Sequence, residues 1–289
     1  MSENAAAKTH SFQAEVKQLL HLMIHSLYSN KEVFLRELIS NGSDACDRLR
    51  FAALTDEGLM EAGETLRLRV TFDKKEKTIT ISDNGVGMSH DEVVQNIGTI
   101  ARSGTRQFLD ALSGDTANDA NLIGQFGVGF YSVFLVAEKV ELTTRHAGDP
   151  ASAGVRWTSD GGGEYLIETV ELADRGTTIT LHLRDEDKEF VEDFRIRGII
   201  SKYSDHISLP IEMHPQDKDT KEEWEAINSG SALWSRPKNE ITAEEYERFY
   251  TTLSYDSEAP LATLHNRVEG TLEYTSLFFI PKKAPFDLW

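Results

Sequence analysis

The stretch Asp83-Asn84-Gly85-Val86-Gly87-Met88 follows directly after the alternating apolar residues Ile79 and Ile81. An aspartate at the end of a strand, followed by two glycines, lets the backbone turn sharply and approach a ligand closely. The Asp83 carboxylate can accept a hydrogen bond from an exocyclic amine such as that of adenine. The alternative is a plain Asp-Gly turn, and this motif alone does not separate the two interpretations.

The residues on either side of this stretch predict a hairpin and a short helix. Upstream, apolar residues alternate with polar ones over 66–72, and Ile79 and Ile81 repeat the alternation after a polar segment. This pattern is typical of a hairpin with one buried face. Downstream, Ser89 followed by Glu92 is a capping-box pattern that opens a helix.

The rest of the chain predicts an α+β fold. Strands are expected at 140–144, 155–158, 177–183 and 277–280, and the glycines at 161–163 supply a turn. Helices are expected at 16–27, at 31–49 with Asn30 as cap, and at 190–202. Because helices interleave with strand pairs joined by short turns, we predict a two-layer sandwich of a mostly antiparallel sheet and helices.

Composition restricts the possible partners and location. The 289 residues include 48 acidic and 30 basic ones, for a net charge of -18, and contain no Lys/Arg-rich block. Nucleic-acid binders usually carry a basic face, so we expect no nucleic-acid partner. We also expect no membrane association, because no apolar run reaches the ~18 residues that span a bilayer. The polar start of the chain and the single Cys46 predict a cytoplasmic protein.

The predicted helix at 31–49 carries three polar residues on one face. Glu37, Asn41 and Asp44 lie at i, i+4 and i+7, beside apolar positions. A carboxylate and an amide at the edge of an apolar face cost free energy unless they have partners. The alternative is a solvated polar stripe with ion pairs to Arg36 or Arg48.

The segment Gly124-Gln125-Phe126-Gly127-Val128-Gly129-Phe130 leads into an apolar run. Free N–H groups and the helix dipole make a glycine-rich helix start a good phosphate site. No Gly-Lys-Ser/Thr ends the segment, so it is not a P-loop, and it is not a dinucleotide fingerprint. The alternative is a flexible hinge.

In chain order, the polar-faced helix at 31–49, the Asp83–Met88 stretch and the glycine-rich segment at 124–130 resemble the ATPase fold of gyrase, the 90-kilodalton heat-shock chaperones, histidine kinases and mismatch-repair proteins. The segments 28–41, 96–101 and 124–132 are most similar to the bacterial 90-kilodalton heat-shock chaperones. The similarity extends over essentially the whole chain. It implies an ATP-dependent chaperone that binds Mg-ATP and hydrolyses it slowly to drive the folding or remodelling of client proteins.

The resemblance also implies roles for individual residues. Glu37 would orient or deprotonate the attacking water, Asn41 would be the one protein ligand to Mg2+, and Asp83 would bind the adenine amine. Arg102 stands where the family usually has Lys, and a phosphate contact there is expected. The remaining expected ATP contacts are Asp44 on the helix at 31–49, Gly87 and Met88 at the base, Asn96 from the short helix, Gly127, Gly129 and Phe130 at the phosphates, and Thr177 on the adenine side.

The resemblance predicts the domain organisation as well. Residues 1–215 would form the N-terminal ATP-binding domain with a lid at about 98–129, 216–235 a linker, and 236–289 the truncated start of a middle domain. In this family a middle-domain arginine reaches the γ-phosphate, and its segment would lie beyond Trp289. We therefore expect normal nucleotide binding but weak hydrolysis. The full-length protein would be a homodimer that works with co-chaperones. This chain would be a monomer.

Three other functions compete with the chaperone. A mismatch-repair or topoisomerase ATPase would show salt-dependent DNA binding, against which the acidic charge speaks. A histidine kinase needs a phospho-accepting helix and usually a membrane span, and neither is visible in the sequence. A protein-interaction domain without enzymatic activity would fail to bind ATP.

Overall fold

A computed structural model of the chain describes residues 30–99, 129–215, 223–268 and 274–284. The predicted helix at 16–27 lies outside these residues. So do most of the expected lid and part of the expected linker.

The main sheet has eight strands in the order β5-β4-β3-β6-β2-β1-β7-β8. All neighbours pair antiparallel except β1 and β7, which confirms the mostly antiparallel sheet. The strands are β1 (Leu68–Asp73), β2 (Thr78–Asp83), β3 (Ala137–Arg145), β4 (Gly154–Ser159), β5 (Leu166–Val170), β6 (Gly176–Leu183), β7 (Ile211–Met213) and β8 (Glu225–Ala226).

Helices interleave with these strands along the chain, which confirms the α+β class. The helices are α1 (Val33–Ala53), α2 (His90–Asn96), α3 (Asp193–Tyr203) and α4 (Ala243–Ser254), with 3-10 helices at Gly129–Leu135 and Asp185–Val191. In β1, β2 and β6 the apolar residues of one face are buried, whereas threonines on the other face are partly exposed. Phe34 and Leu38 of α1 are buried in the same core as Leu68 and Ile81.

Several sequence expectations are confirmed and others are corrected. The hairpin and the Ser89–Glu92 capping box are present. Helix α1 begins at Val33 instead of residue 31, because Asn30 Oδ1 accepts from the Glu32 N–H (2.9 Å) and closes the preceding turn. The expected helix at 190–202 is divided into a 3-10 helix and α3.

Four strands were not predicted: β5, β7 and β8 of the main sheet, and β9 (Ala262–Val268) after it. β5 is an edge strand with mostly exposed side chains, so it lacks the alternation that marks a half-buried strand. β7 and β8 contain only three and two residues, too few for a periodic signal. β8 lies inside the stretch 216–235 that was expected to be a linker, and it pairs with β7.

The chain after β8 forms α4 and a two-stranded antiparallel sheet. The strands are β9 (Ala262–Val268) and β10 (Tyr274–Ile280), which includes the predicted strand at 277–280. Thr242 and Glu245 make a capping box at the start of α4. Tyr250 of α4 packs on Phe279 of β10, with ring centres 5.4 Å apart.

The start of α1 is fastened to α3 by a buried carboxylate. Glu32 accepts hydrogen bonds from Arg195 (2.6 Å), Tyr203 (2.8 Å), Asn30 (3.1 Å) and Lys202 (3.2 Å). We call these five residues the Glu32 cluster. Burial alone would raise the pKa of Glu32, but the four hydrogen bonds outweigh it and lower the pKa from 4.5 to about 2.

This lowered pKa predicts a pH-dependent contribution to stability. Because the folded-state pKa lies below the unfolded value, the contribution is present above pH 4.5 and is lost as the pH falls towards 2. It should amount to about 3 kcal/mol at neutral pH. We expect Glu32→Gln to lower the free energy of unfolding, measured with urea, at pH 7, and the difference from the parent chain to shrink below pH 4.5. Glu76→Gln, in an exposed turn, is the control. A difference that stays constant with pH would contradict the assignment.

Candidate functional site

Helix α1 directs its polar face towards the interior of the domain. Asp44 is buried, with 3% of its surface exposed, and Asn41 is partly buried. Glu37 has 22% of its side chain exposed and pairs with Arg36, with Nη2 2.5 Å from Oε1. The ion pair with Arg36 matches one element of the solvated-stripe alternative. A buried Asp44 does not fit that alternative.

The Glu37 carboxylate meets the end of the glycine-rich segment. A Cβ atom on Gly129 would collide with Glu37 Oε2, so a larger residue there would force the Glu37 carboxylate to move. The 3-10 helix that starts at Gly129 is closed by a hydrogen bond from Ser132 Oγ to the Gly129 carbonyl (2.6 Å). The structure therefore brings together two elements, 92 residues apart, that the sequence marked separately.

The loop after Asp83 packs directly on the backbone of α1. The Val86 N–H donates to the Ala45 carbonyl (3.0 Å). A Cβ atom on Gly85 would lie 2.6 Å from the Ala45 carbonyl carbon, which leaves no room for a side chain. The Asp83 carboxylate accepts from the Gly85 N–H (2.9 Å), as in a plain Asp-Gly turn, and also from the Thr177 N–H.

The surroundings of Asp83 perturb its ionisation. Burial raises the pKa of Asp83 from 3.8 to about 7, and the N–H donors of Gly85 and Thr177 only partly oppose this shift. Titratable groups with strongly shifted pKa values concentrate at functional sites. The carboxyl is poised to change its charge near neutral pH, which a structural turn does not require.

One threonine joins the residues expected around the base. Thr144 Oγ1 accepts from the Met88 N–H (2.9 Å) and lies 3.0 Å from Thr177 Oγ1. Thr144 is buried and was not predicted as a site residue. The sequence could have indicated it, because Thr144 is a polar residue that continues the alternating buried positions Val140 and Leu142 of β3.

Gly87 occupies a backbone position that favours glycine. Its φ is 65°, and a Cβ atom there would collide with the Arg145 carbonyl oxygen. We expect Gly87→Ala to lower the free energy of unfolding by about 2 kcal/mol or more, because the loop must shift. The control is Gly198→Ala in α3, where a Cβ atom meets nothing within 4 Å. That change should stabilise the chain by about 0.5–1 kcal/mol. Thermal unfolding measures both, and equal melting temperatures for the two variants would refute the prediction.

Asn96 lies at the C-terminal end of α2 with an unsatisfied acceptor. Its side-chain Oδ1 is buried and has no hydrogen-bond partner among the residues described. Such orphan acceptors cost free energy unless a ligand or water satisfies them. Tyr131 OH donates to the Ile97 carbonyl (2.8 Å), which fixes this end of α2 next to the 3-10 helix. Asn96 therefore fits a ligand-contacting role.

Aromatic packing surrounds Phe130. It is 8% exposed, and its ring meets those of Tyr131 (5.7 Å) and Trp157 (5.6 Å) edge to face. Trp157, on β4, is a neighbour of the site that was not predicted from the sequence.

Cys46 is fully buried, and burial raises the pKa of its thiol, as expected for a packing residue.

Two expected site residues, Arg102 and Gly127, lie outside the described residues. Within the described ranges, no group of three or more His, Cys, Asp or Glu side chains could hold a metal ion. No helix in the described part of the chain is long and apolar enough to cross a membrane.

Comparisons with known proteins match two parts of the chain to family models. Residues 28–187 match the family model described as histidine kinase-, DNA gyrase B-, and HSP90-like ATPase, and residues 214–289 match the Hsp90 protein model. "Chaperone protein HtpG" of Nitrosococcus oceani is 60% identical over 288 residues, covering 98% of this chain and 45% of the relative. The protein of that name from Methylococcus capsulatus is 58% identical, covering 100% and 47%. The chain thus spans slightly less than half the length of these relatives.

Proposed function

The chain belongs to the family of histidine kinase-, DNA gyrase B- and HSP90-like ATPases, and from this premise we propose that it binds Mg-ATP and hydrolyses it slowly as part of a molecular chaperone. The contact between Gly129 and the Glu37 carboxylate is the observation that carries the proposal. It supports the proposal because Gly129, at the end of the glycine-rich segment, lies against the carboxylate proposed as the general base.

Each end of the nucleotide has residues suited to it. The Asp83 carboxylate accepts the adenine amine, with Met88 and Thr177 beside it, held together through Thr144. Three further residues contact the nucleotide: Gly87 in the loop after β2, Asn96 at the end of α2 and Asp44 on α1. Gly127, Gly129 and Phe130 offer backbone N–H groups to the phosphates, and Arg102 supplies a positive charge.

Hydrolysis is assigned to the polar face of α1. Glu37 orients or deprotonates the attacking water, and Arg36 holds its carboxylate in place. Mg2+ would be held by the Asn41 amide oxygen and would neutralise phosphate charge when bound. Asn41 follows Glu37 by one helical turn, so the base and the metal ligand face the same side.

The proposed cellular role is based on the relatives, which are named chaperone protein HtpG. We propose that ATP turnover serves the folding or remodelling of client proteins in the cytoplasm, in a homodimeric full-length protein that works with co-chaperones. The expected domains at 1–215 and 236–289 remain part of this proposal. The Hsp90 match at 214–289 favours the chaperone over the DNA-linked and kinase alternatives.

Calorimetric titration with ATP and Mg2+ tests the nucleotide site. We expect saturable binding of one ATP per chain, weaker without Mg2+. Thin-layer separation of labelled ATP and ADP then measures turnover. A chain that stays folded but binds no ATP would contradict the proposal and favour a protein-interaction domain.

A further inference from the structure

The Glu32 cluster lies where it can control the position of Glu37. Glu32 immediately precedes α1, and Glu37 follows it by five residues, or about 7.5 Å along a helix. Only 8% of the Glu32 side chain is exposed, and both its carboxylate oxygens accept bonds from α3. The first turn of α1 is therefore held from outside the helix by strong, charge-assisted hydrogen bonds.

The residues assigned to the base lie away from this attachment, since the loop after Asp83 contacts α1 at Ala45, 13 residues along the chain from Glu32. Asp83 and Thr177 belong to β2 and β6, which pair with each other in the sheet. Glu37 and Asn41 belong to α1. A shift at the start of α1 should therefore move the hydrolytic residues while the base pocket stays in place. Misplacing reacting groups by fractions of an ångström lowers rates strongly.

Lys202 gives the cluster a second connection. Its ammonium lies 3.2 Å from Glu32 Oε2 and 5.4 Å from the centre of the Tyr255 ring, within the range of a cation–π interaction. Tyr255 ends α4 in a left-handed conformation, with a φ of 57°. One side chain thus contacts both the residue that begins α1 and the residue that ends α4.

A second set of contacts supports the same packing. The Trp234 ring lies 5.2 Å from the His206 ring, just after α3, and 5.9 Å from the Phe249 ring on α4. The C-terminal end of α3 is therefore linked to the end of α4 directly by Lys202 and Tyr255, and the residue His206 after α3 is linked to α4 indirectly through Trp234. A change in the position of α4 would therefore move the Lys202 side chain.

We propose that Glu32 is a positioning residue for ATP hydrolysis, and that Lys202 transmits the position of α4 to α1 through it. The proposal rests on the proposed ATPase function. Glu32 does not touch the nucleotide; it acts through Glu37. Its role is to keep the start of α1 in one place relative to the sheet that binds the base.

The test separates rate from binding. Glu32→Gln keeps the shape of the side chain and removes its charge, and Tyr203→Phe removes a single hydroxyl. In single-turnover reactions with protein in excess over labelled ATP, we expect hydrolysis to slow about tenfold in Glu32→Gln and about threefold in Tyr203→Phe. Calorimetric ADP affinity without Mg2+ should stay within about twofold of the parent, because the base pocket is unchanged.

Glu189→Gln is the matched control. Glu189 pairs with the same Arg195 (3.1 Å), but its side chain is 58% exposed and it has no contact with α1 among the residues described. We expect turnover equal to that of the parent. If Glu32 only stabilised the fold, the rate per folded molecule would be unchanged at a temperature where every variant is folded. That outcome would overturn the proposal.

The connection to α4 is tested with Tyr255→Leu. We expect turnover to change about threefold without a change in ADP affinity, and the effect to vanish when Glu32→Gln is also present. Additive effects would refute the link through Lys202. Absence of ATP turnover in the parent would contradict the proposed hydrolysis, and this inference with it. Parent-like turnover in Glu32→Gln, with an active parent, would contradict the positioning role alone.

Discussion

Asp83→Asn is expected to weaken ATP binding by about 10- to 150-fold, the effect of removing one charge-assisted hydrogen bond. The carboxylate is an acceptor on both oxygens, whereas the asparagine amide turns one of them into a donor that opposes the adenine amine. The Gly85 N–H keeps an acceptor if the amide oxygen faces it. Calorimetric titration of parent and variant with Mg-ATP measures the loss.

The variant should not lose stability. Because the folded-state pKa of Asp83 is about 7 and the ordinary value is 3.8, the folded chain binds more protons than the unfolded chain between these values. The contribution of Asp83 to stability therefore falls as the pH rises from about 4 to 7. At neutral pH the neutral asparagine should leave the melting temperature equal or higher. A role in nucleotide binding explains why a destabilising carboxyl is present.

The pH dependence of ATP affinity gives an independent check. If the ionised form binds the amine, protonation of Asp83 should weaken ATP binding up to about tenfold between pH 8 and pH 6. The phosphates of ATP titrate equally for both proteins, so the difference between parent and Asp83→Asn isolates this carboxyl. The matched control is Asp47→Asn, another partly buried acid whose pKa burial raises, on α1 and paired with Arg50. If Asp83→Asn and Asp47→Asn lost ATP affinity to the same extent, the role of Asp83 would be refuted.

Glu37→Gln is expected to reduce ATP hydrolysis by about 100-fold or more while ATP affinity stays within about threefold. Removing a general base typically costs two to four orders of magnitude in rate. Affinity should change little, because the base-binding residues lie on β2 and β6, and the glutamine fills the same space beside Gly129. Single-turnover hydrolysis and calorimetry measure the two quantities on the same protein.

A distant glutamate provides the control for Glu37. Glu141 on β3 is 33% exposed and paired with Lys139 and His182, so Glu141→Gln removes a partly exposed, ion-paired carboxylate of similar kind. It should hydrolyse ATP like the parent. If Glu37→Gln also hydrolyses ATP at the parental rate, another group or a free water must supply the base, and the assignment of α1 as the hydrolytic element is wrong.

Local patterns in the sequence determined the elements that carry the site. The alternation at 66–72 and at Ile79 and Ile81 predicted the β1–β2 hairpin, because a half-buried strand exposes every second side chain. The Ser89–Glu92 spacing predicted the start of α2, because a capping box is closed within four residues. The family resemblance then supplied the roles of the site residues. The edge strand β5 and the short strands β7 and β8 were not predicted, because their sequences show too little hydrophobic alternation.

The tertiary structure alone decided how these elements act on one another. Gly129 meets Glu37 across 92 residues, and Asn30 meets Tyr203 across 173, distances over which no periodic pattern extends. The raised pKa of Asp83 and the lowered pKa of Glu32 have the same origin, since desolvation and hydrogen-bond donors depend on which distant segments fold around a carboxyl. Sequence periods report the local geometry of the backbone, whereas burial and charge pairing depend on the path of the whole chain.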